Sequence, residues 1–465
     1  MKLVDVFKDG VVSTVTNAVG LLASFLSVRF FVSLYPYEEY GVWVVLNAVV
    51  SWFLVVDFGL GQAVQNFVVR KRIAYDRKGL AAGVAVSTLI LLLVALVIIL
   101  LQSVIMDVSQ NAAVLNLKNI TLAGQLAFGV SVFVAGFALA AALRVGGSLM
   151  RSVHKSNVVN AQAMLKNLLP LVGILLALSF GFSLSWVLIF VGVGTAVLEA
   201  GLFVIGLQTL RPLPVPDMRE CSEALTELLS PSLFFFLCQI GMNLLILTQA
   251  LIVSHTMSIA EAGRFNPTYR LWFIGLTFLT SACLPMVARF NEAFHKPGSE
   301  EVARSFRRIG LFVALAAASI ALGYALFAPL VIRLWVGRGF VFGTWVYFAL
   351  AASAFPAMMT TFYASVLMGL ERTKVLAAIC GAAGGLFVVL GWVGATLYGF
   401  VGLVLSMAVV YWLLMLILAI STQRAVRARF GASATGLVSA ANAQAGIAMC
   451  GMGQFKRILF RSWGK

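Results

Sequence analysis

Charged residues are scarce in this chain of 465 residues. Asp, Glu, Lys and Arg make up 11% of it, against about 25% in an ordinary soluble domain. Histidine and cysteine are scarcer still, with 3 and 5 residues that are scattered and form no C-x-x-C pair. No metal-ligand spacing, disulfide framework, catalytic triad or nucleotide-binding motif can be assembled from residues so placed. The sequence therefore predicts no metal, no cofactor and no enzymatic activity.

Long apolar runs fill the sequence instead. Hydrophobic residues make up 61% of the chain, and its mean hydropathy is +1.01. Uncharged runs of about 20 residues recur from Gly10 to Ser421, each long enough to cross the ~30 Å hydrocarbon core of a bilayer. We predict an all-α polytopic membrane protein with about 12 transmembrane helices in two six-helix bundles around a central cleft. The predicted spans are residues 10–34, 41–68, 79–106, 122–149, 158–180, 184–207, 230–254, 264–288, 306–330, 343–367, 375–397 and 401–422.

The net charge of +16 lies mainly on one side of the predicted membrane. With the N-terminus inside, most of the 33 Lys and Arg residues fall in inner segments, including the segment from Arg144 to Lys166. The outer segments hold only Lys118, Arg264, Arg270, Arg333 and Arg338. Because this asymmetry follows the positive-inside rule, we expect both termini in the cytoplasm. We also expect anionic membrane lipids, and no nucleic acid, as partners.

A proline-rich, acidic stretch divides the chain. We predict an N-terminal six-helix bundle at residues 1–207, then a cytoplasmic linker with a short amphipathic helix at residues 208–229. A C-terminal six-helix bundle follows at residues 230–422. Residues 423–465 form a basic cytoplasmic tail, in which residues 455–463 place their aromatic and aliphatic side chains on one helical face. That segment is either a helix lying in the membrane interface or a solvated end.

The two predicted bundles share a short motif. "EEYGVW" after the first span and "AEAGRF" after the seventh both contain Glu-x-Gly-x-aromatic. Related bundles around a cleft are typical of transporters that alternate between two open states, with the substrate site between the halves.

Polar residues of the first span share one helix face. Their spacings of four and three residues place Ser13, Asn17, Gly20, Ser24 and Ser27 on that face. One interpretation is close helix packing through small and hydroxylated residues. The other is a face that lines an aqueous cleft, where Asn17 and Ser24 bind a polar substrate.

Four charged residues lie deep in predicted spans: Arg29, Asp57, Glu199 and Arg270. Each needs a partner or water, because a charge at the centre of a membrane helix costs at least ~2.5–3.5 kcal/mol on insertion scales. Arg270 begins a polar stripe in the eighth span and is the best candidate for binding an anionic group. Arg29 either binds substrate or extends to the membrane surface. Glu199 is paired at i+4 with Thr195 and is either an ion-coupling or a structural residue.

Asp57 lies in the apolar stretch "VVDFGLGQAV" and is followed by two glycines that weaken the helix. It either caps the next helical turn of a broken helix or faces the cleft as a titratable group that couples transport to an ion. The spacing alone favours the structural role.

Five stretches together resemble the oligosaccharide flippases, the polysaccharide-export branch of the multidrug/oligosaccharidyl-lipid/polysaccharide exporter superfamily. They are "EEYGVWVVL" (38–46), "VVDFGLGQAV" (55–64), "LWVGRGF" (334–340), "GLERTK" (369–374) and "YGFVGLVLS" (398–406). The resemblance covers residues 5–425. It implies two six-helix bundles in a bacterial cytoplasmic (inner) membrane, and it places Asp57 in a recurring Asp-x-Gly element. It also implies a polysaccharide polymerase and a chain-length regulator as partners.

The function implied by the resemblance is movement of an undecaprenyl-diphosphate-linked oligosaccharide to the outer leaflet, for polysaccharide or O-antigen export. The buried arginines agree with it, because arginine forks suit diphosphate geometry. The alternative is a cation-coupled multidrug exporter of the same superfamily. That function favours an acidic, aromatic cleft, whereas the predicted spans contain Arg29, Arg144 and Arg270 against the acids Asp57 and Glu199.

Overall fold

A computed structural model describes residues 3–53, 60–105, 120–153, 155–295, 300–370 and 372–430, and within these ranges every regular element is a helix. The helices before residue 211 are α1 (Leu3–Leu34), α2 (Tyr37–Phe53), α3 (Leu60–Ile73), α4 (Arg77–Ile105), α5 (Ile120–Leu143), α6 (Val145–Ser152), α7 (Ser156–Phe180) and α8 (Leu184–Leu210). Those after it are α9 (Met218–Thr256), α10 (Ile259–His295), α11 (Glu300–Trp335), the 3₁₀-helix η1 (Arg338–Phe340), α12 (Thr344–Gly369) and α13 (Thr373–Phe430).

Several of these helices are long enough to cross a membrane. Within the described ranges, 8 helical stretches have the length and hydropathy of a membrane span. The last of them, Thr373–Arg427, has 55 residues, and at 1.5 Å per residue this is far longer than one crossing needs. It contains Gly399 in a non-helical conformation (φ 61°, ψ −142°) and therefore consists of two helices joined at a kink. The prediction of an all-α, multi-pass membrane protein is confirmed.

Two helix boundaries differ from the predicted ones. The non-helical part of the linker is confined to residues 211–217. At Asp217 the backbone N–H donates to the Glu220 carboxylate (2.8 Å), half of a capping box that starts α9. From there α9 runs unbroken to Thr256, so the amphipathic helix of the linker is the first part of the seventh span. At the C-terminal end of the last predicted span, α13 continues past residue 422 to Phe430, because no Gly or Pro interrupts residues 423–430.

The bundles meet where the shared motifs lie. A Cβ atom on Gly41 of α2 would lie 1.9 Å from the carbonyl oxygen of Ile259, at the start of α10. A Cβ atom on Gly263 would lie 2.8 Å from the backbone nitrogen of Gly41. The two glycines of the repeated Glu-x-Gly motif therefore let the backbones of α2 and α10 touch. We call this contact, with its neighbours on α1 and α11, the sealed end.

At the sealed end α1 and α11 also exchange hydrogen bonds. An Arg29 Nη1–H donates to the carbonyl oxygen of Trp335 (2.5 Å), and Trp335 Nε1–H donates to the carbonyl oxygen of Phe25 (2.9 Å). The Phe25 and Trp335 rings stack with centroids 3.8 Å apart. An arginine at the carbonyl end of a helix satisfies groups that have no partner within the helix.

A second contact between the halves lies at the start of α9, which we call the linker end. Arg70 and Lys71, at the end of α3, reach the Glu227 carboxylate at 3.0 and 3.5 Å. Lys78, at the start of α4, reaches Asp217 at 3.2 Å. Exposed ion pairs thus join the N-terminal part of α9 to the turn between α3 and α4.

Candidate functional site

A cavity with a volume of about 450 Å³ lies against the face where the bundles meet. Its walls come from α1, α2, α5, α7 and α8 of the N-terminal half, and α10 of the C-terminal half contributes Asn266 and Arg270. Because these two residues are four apart, they project from the same side of α10. The cavity is therefore built mostly in one bundle and completed by one helix of the other.

Arg270 crosses the interface between the bundles. One of its Nη2–H groups donates to the Oγ atom of Ser24 on α1. One turn away, Tyr40 on α2 donates its hydroxyl to Oδ1 of Asn266 (2.9 Å). Within the described part of the chain, no carboxylate lies within 4.0 Å of the Arg270 guanidinium. Its positive charge is therefore held by a neutral partner.

Lys166 and Glu199 form an ion pair on the opposite wall. The Nζ atom of Lys166 on α7 lies 2.5 Å from Oε1 of Glu199 on α8. The Glu199 side chain is 4% exposed and that of Lys166 is 27% exposed. The two helices are antiparallel neighbours, joined by a short turn at Gly181, whose φ of 69° needs glycine. That hairpin brings the two charges together.

The cavity carries a net positive charge. Its walls contain Arg270 and Lys166 against the single carboxylate of Glu199. The lining also includes the hydroxyl and amide groups of Ser27, Asn47, Asn167 and Thr195 and the rings of Phe31, Tyr40, Trp43 and Phe137. Such a surface can bind an anion through its cations, sugar hydroxyls through its amides, and sugar faces on its rings.

The structure brings together several of the residues predicted from the sequence. Ser24, Glu199 and Arg270 all line the cavity. Thr195 also lines it, but its hydroxyl donates to the carbonyl oxygen of Val191 (2.7 Å), and the carboxylate of Glu199 binds Lys166. The i+4 pairing expected between Glu199 and Thr195 is therefore replaced by an ion pair with another helix.

The other three predicted residues are not among the cavity residues. Arg29 lies at the sealed end, where its guanidinium binds backbone carbonyl oxygens of α11. Asn17 belongs to α1, but its side chain lies outside the described part of the structure, and Asp57 lies outside the described residues altogether. The predicted interfacial helix at residues 455–463 is also outside them.

Sequence reasoning missed Lys166. Its charge was assigned to the cytoplasmic side as part of the topological asymmetry, although it lies within the predicted span 158–180. A lysine eight positions into a span, followed by Asn167, is the signal that could have found it, because charges inside spans face a cavity or a partner.

Comparisons with known proteins show which of them resemble this chain in sequence or in fold. No protein-family model matches the chain. A curated protein of Yersinia pseudotuberculosis, a putative O-antigen export protein, is 23% identical over 400 residues, which cover 83% of this chain and 89% of that protein. An inward-facing structure of a multidrug resistance MATE family transporter of the MOP superfamily superposes with a TM-score of 0.74. It has 14% identity, and the match covers 90% of this chain and 98% of that one.

The chain has the fold of the MOP superfamily transporters. A second structure of that fold, the lipid II flippase MurJ in an inward closed conformation, superposes with a TM-score of 0.67 at 14% identity. The match covers 90% of this chain and 87% of that one. The predicted fold class, with about 12 transmembrane helices in two six-helix bundles, is confirmed. The resemblance drawn from the five sequence stretches is confirmed as well.

Proposed function

We propose that this protein is a flippase. Its substrate is an undecaprenyl-diphosphate-linked oligosaccharide, which it moves from the cytoplasmic to the outer leaflet for polysaccharide or O-antigen export. The observation that carries the proposal is the cavity at the bundle interface, with two cations against one carboxylate and a lining of amide, hydroxyl and aromatic groups. The putative O-antigen export protein from Yersinia and the lipid II flippase support the same class of substrate.

Arg270 is the central residue of the proposed mechanism. Its guanidinium offers a planar fork of donors, and a diphosphate accepts two such hydrogen bonds better than the Ser24 hydroxyl accepts one. Because Arg270 belongs to α10 and most of the cavity to the other half, a bound diphosphate bridges the bundles. The sugars are bound by the amide and aromatic lining, and the polyprenyl tail stays in the lipid.

The charge of the cavity argues against the drug-exporter alternative. A cationic drug needs an unpaired carboxylate or an acidic surface. The one carboxylate in the cavity lining, Glu199, is neutralised by Lys166, and Arg270 adds a further positive charge. A cationic ligand would therefore be repelled.

The proposed location is the cytoplasmic (inner) membrane of a bacterium, with both termini inside. In that orientation the sealed end is the outer end, so the cavity is closed toward the outside.

The membrane potential favours export. When the interior is negative, moving each net negative charge outward releases ~2.3 kcal/mol of free energy per 100 mV. A polysaccharide polymerase and a chain-length regulator would act on the exported unit.

Reconstitution tests this function. Full-length protein in liposomes should move a fluorescent undecaprenyl-diphosphate oligosaccharide between leaflets, measured by quenching of the exposed label. Arg270→Ala should lower the rate about 10- to 100-fold, because charged hydrogen bonds contribute roughly 1.5–3 kcal/mol. Arg270→Lys should recover part of it, since the charge remains and the fork is lost.

The matched control is Arg308→Ala, which removes an exposed arginine of α11 and should leave transport unchanged. Full activity of Arg270→Ala would remove the cavity from the mechanism. Extrusion of cationic dyes without lipid movement would favour the drug exporter.

A further inference from the structure

The two cations of the cavity are held in different ways. Arg270 donates to the neutral Ser24, whereas Lys166 is paired with the carboxylate of Glu199. An anion entering the cavity therefore meets one cation whose charge is not neutralised and one that already has a counter-ion. The proposed binding of a diphosphate through Arg270 leaves the role of this second, neutralised cation to be explained.

The exposures of the pair show which partner a ligand reaches first. The Lys166 side chain is 27% exposed and lines the cavity, while the Glu199 side chain beside it is only 4% exposed. A lysine ammonium has three donors, and Glu199 is the partner recorded for Nζ. A phosphate oxygen can therefore approach Lys166 from the cavity while the ion pair is still in place.

Glu199 has a second basic neighbour if Lys166 leaves it. The exposed Arg151 on α6 interacts electrostatically with Glu199 and is itself opposed by Arg144. A buried carboxylate that lost every cation would be strongly destabilised. Because Arg151 stays within electrostatic range, the departure of Lys166 does not leave Glu199 without positive charge nearby.

We propose that Glu199 is a built-in competitor of the substrate's phosphate for Lys166. This inference rests on the proposed function, and it assigns Lys166 and Glu199 as residues that set specificity for an anionic lipid head. On binding, Lys166 exchanges the carboxylate for a phosphate oxygen, and on release it returns to Glu199. One charge-assisted ion pair replaces another, so an anionic head is admitted and can still leave. A neutral polyprenol has nothing to exchange.

Binding of undecaprenyl diphosphate and of neutral undecaprenol to the full-length protein in detergent tests the exchange. Glu199→Gln keeps the shape of the side chain and removes the competing charge, so it should bind undecaprenyl diphosphate about 10-fold more tightly, with undecaprenol unchanged. The double variant Lys166→Met/Glu199→Gln should bind undecaprenyl diphosphate more weakly than wild type. It removes both charges together, so neither is left unpaired, and the test does not depend on Lys166→Met alone.

Transport supplies a readout that a purely structural pair would not change. In liposomes, Glu199→Gln should lower the half-saturating lipid concentration and also lower the maximal rate, because release becomes slower. Lys155→Met, just before α7, and Glu223→Gln on α9 remove exposed charges of the same kinds and should change neither value.

Three outcomes are decisive. Unchanged or weaker binding of undecaprenyl diphosphate by Glu199→Gln, with wild type binding it normally, overturns the exchange and leaves the flippase proposal standing. If the double variant also binds undecaprenyl diphosphate more tightly than wild type, the exchange is overturned as well, because the proposed gain in affinity depends on Lys166. If wild type does not prefer undecaprenyl diphosphate over undecaprenol, the flippase proposal and the exchange are both rejected.

Discussion

The sealed end and the linker end join the same two halves of the molecule by different means. At the sealed end, backbones touch at Gly41 and Ile259, and an arginine and a tryptophan each donate to a carbonyl of the facing helix. At the linker end the contacts are ion pairs whose side chains are 25–71% exposed.

The charges of the linker end are kept ionised by their neighbours. Asp76, in the turn between α3 and α4, pairs with Lys71 (3.1 Å). A hydrogen bond from the Gly79 N–H holds the pKa of the Asp76 carboxyl below its usual value, and Lys71 lowers it further. The hydrogen bond and the charge of Asp217 raise the pKa of Lys78. These pairs therefore persist at neutral pH, yet each stabilises little, because exposed ion pairs contribute about 0–1 kcal/mol and are screened by salt.

The difference shows which contact can act as a gate. A contact in which two backbones leave no room for a Cβ atom is either made or broken, because packed surfaces are not continuously deformable. Exposed ion pairs between long side chains tolerate shifts of position and can follow a rocking motion. We therefore expect the sealed end to control access to the cavity and the linker end to act as a flexible connection.

The largest effect should come from Gly41→Ala. Its new Cβ would lie 1.9 Å from the carbonyl oxygen of Ile259, a backbone atom that cannot move aside alone, so the sealed end must separate. Spin labels at Ser33 and Trp345 should report a longer distance. Transport should fall at least about tenfold, which corresponds to an activation barrier about 1.4 kcal/mol higher. Gly201→Ala is the matched control, because in the described part of the chain no atom beyond its chain neighbours and its own helix backbone lies within 4 Å of its Cβ position. Equal label distances in the two variants would contradict the gate.

An intermediate effect is expected from Arg29→Ala. The variant loses the bonds to the carbonyl oxygens of Leu334 and Trp335, which should weaken the sealed end by about 0.5–1.5 kcal/mol. The same pair of spin labels should then show an increased share of the separated state. Arg29→Lys should restore part of the sealed population, because an ammonium can still donate to a carbonyl. A population identical to wild type would show that this arginine does not hold the helices together.

The smallest effect is expected at the linker end. Glu227→Gln removes the shared partner of Arg70 and Lys71, and it should lower the free energy of unfolding by less than about 1 kcal/mol. The difference from wild type should shrink further in 0.5 M salt, where screening is strong. Thermal unfolding at low and high salt measures both, with Glu223→Gln as the control on the same helix. A salt-independent loss larger than that at the sealed end would reverse the comparison.

Part of the candidate site could be predicted because a charge inside an apolar span stands out. Arg270 and Glu199 were found in this way, and Ser24 followed from the polar face of the first span. Lys166 was missed because a basic residue near the inner end of a span has a simpler topological explanation. Arg29 was recognised as unusual, but nothing in its own helix indicates that its partners are carbonyl oxygens of α11.

The sequence by itself determined the class of the protein. Apolar runs of membrane-spanning length admit only helices in a bilayer, because every backbone group must be satisfied within its own segment. Helical periodicity also assigned Ser24 to a polar face. Only the tertiary structure decided which faces meet. Arg270 and Ser24 are 246 residues apart, and Lys166 and Glu199 are 33 apart. A helix period specifies the direction of a side chain within its helix, while its partner is chosen by the packing of that helix against others.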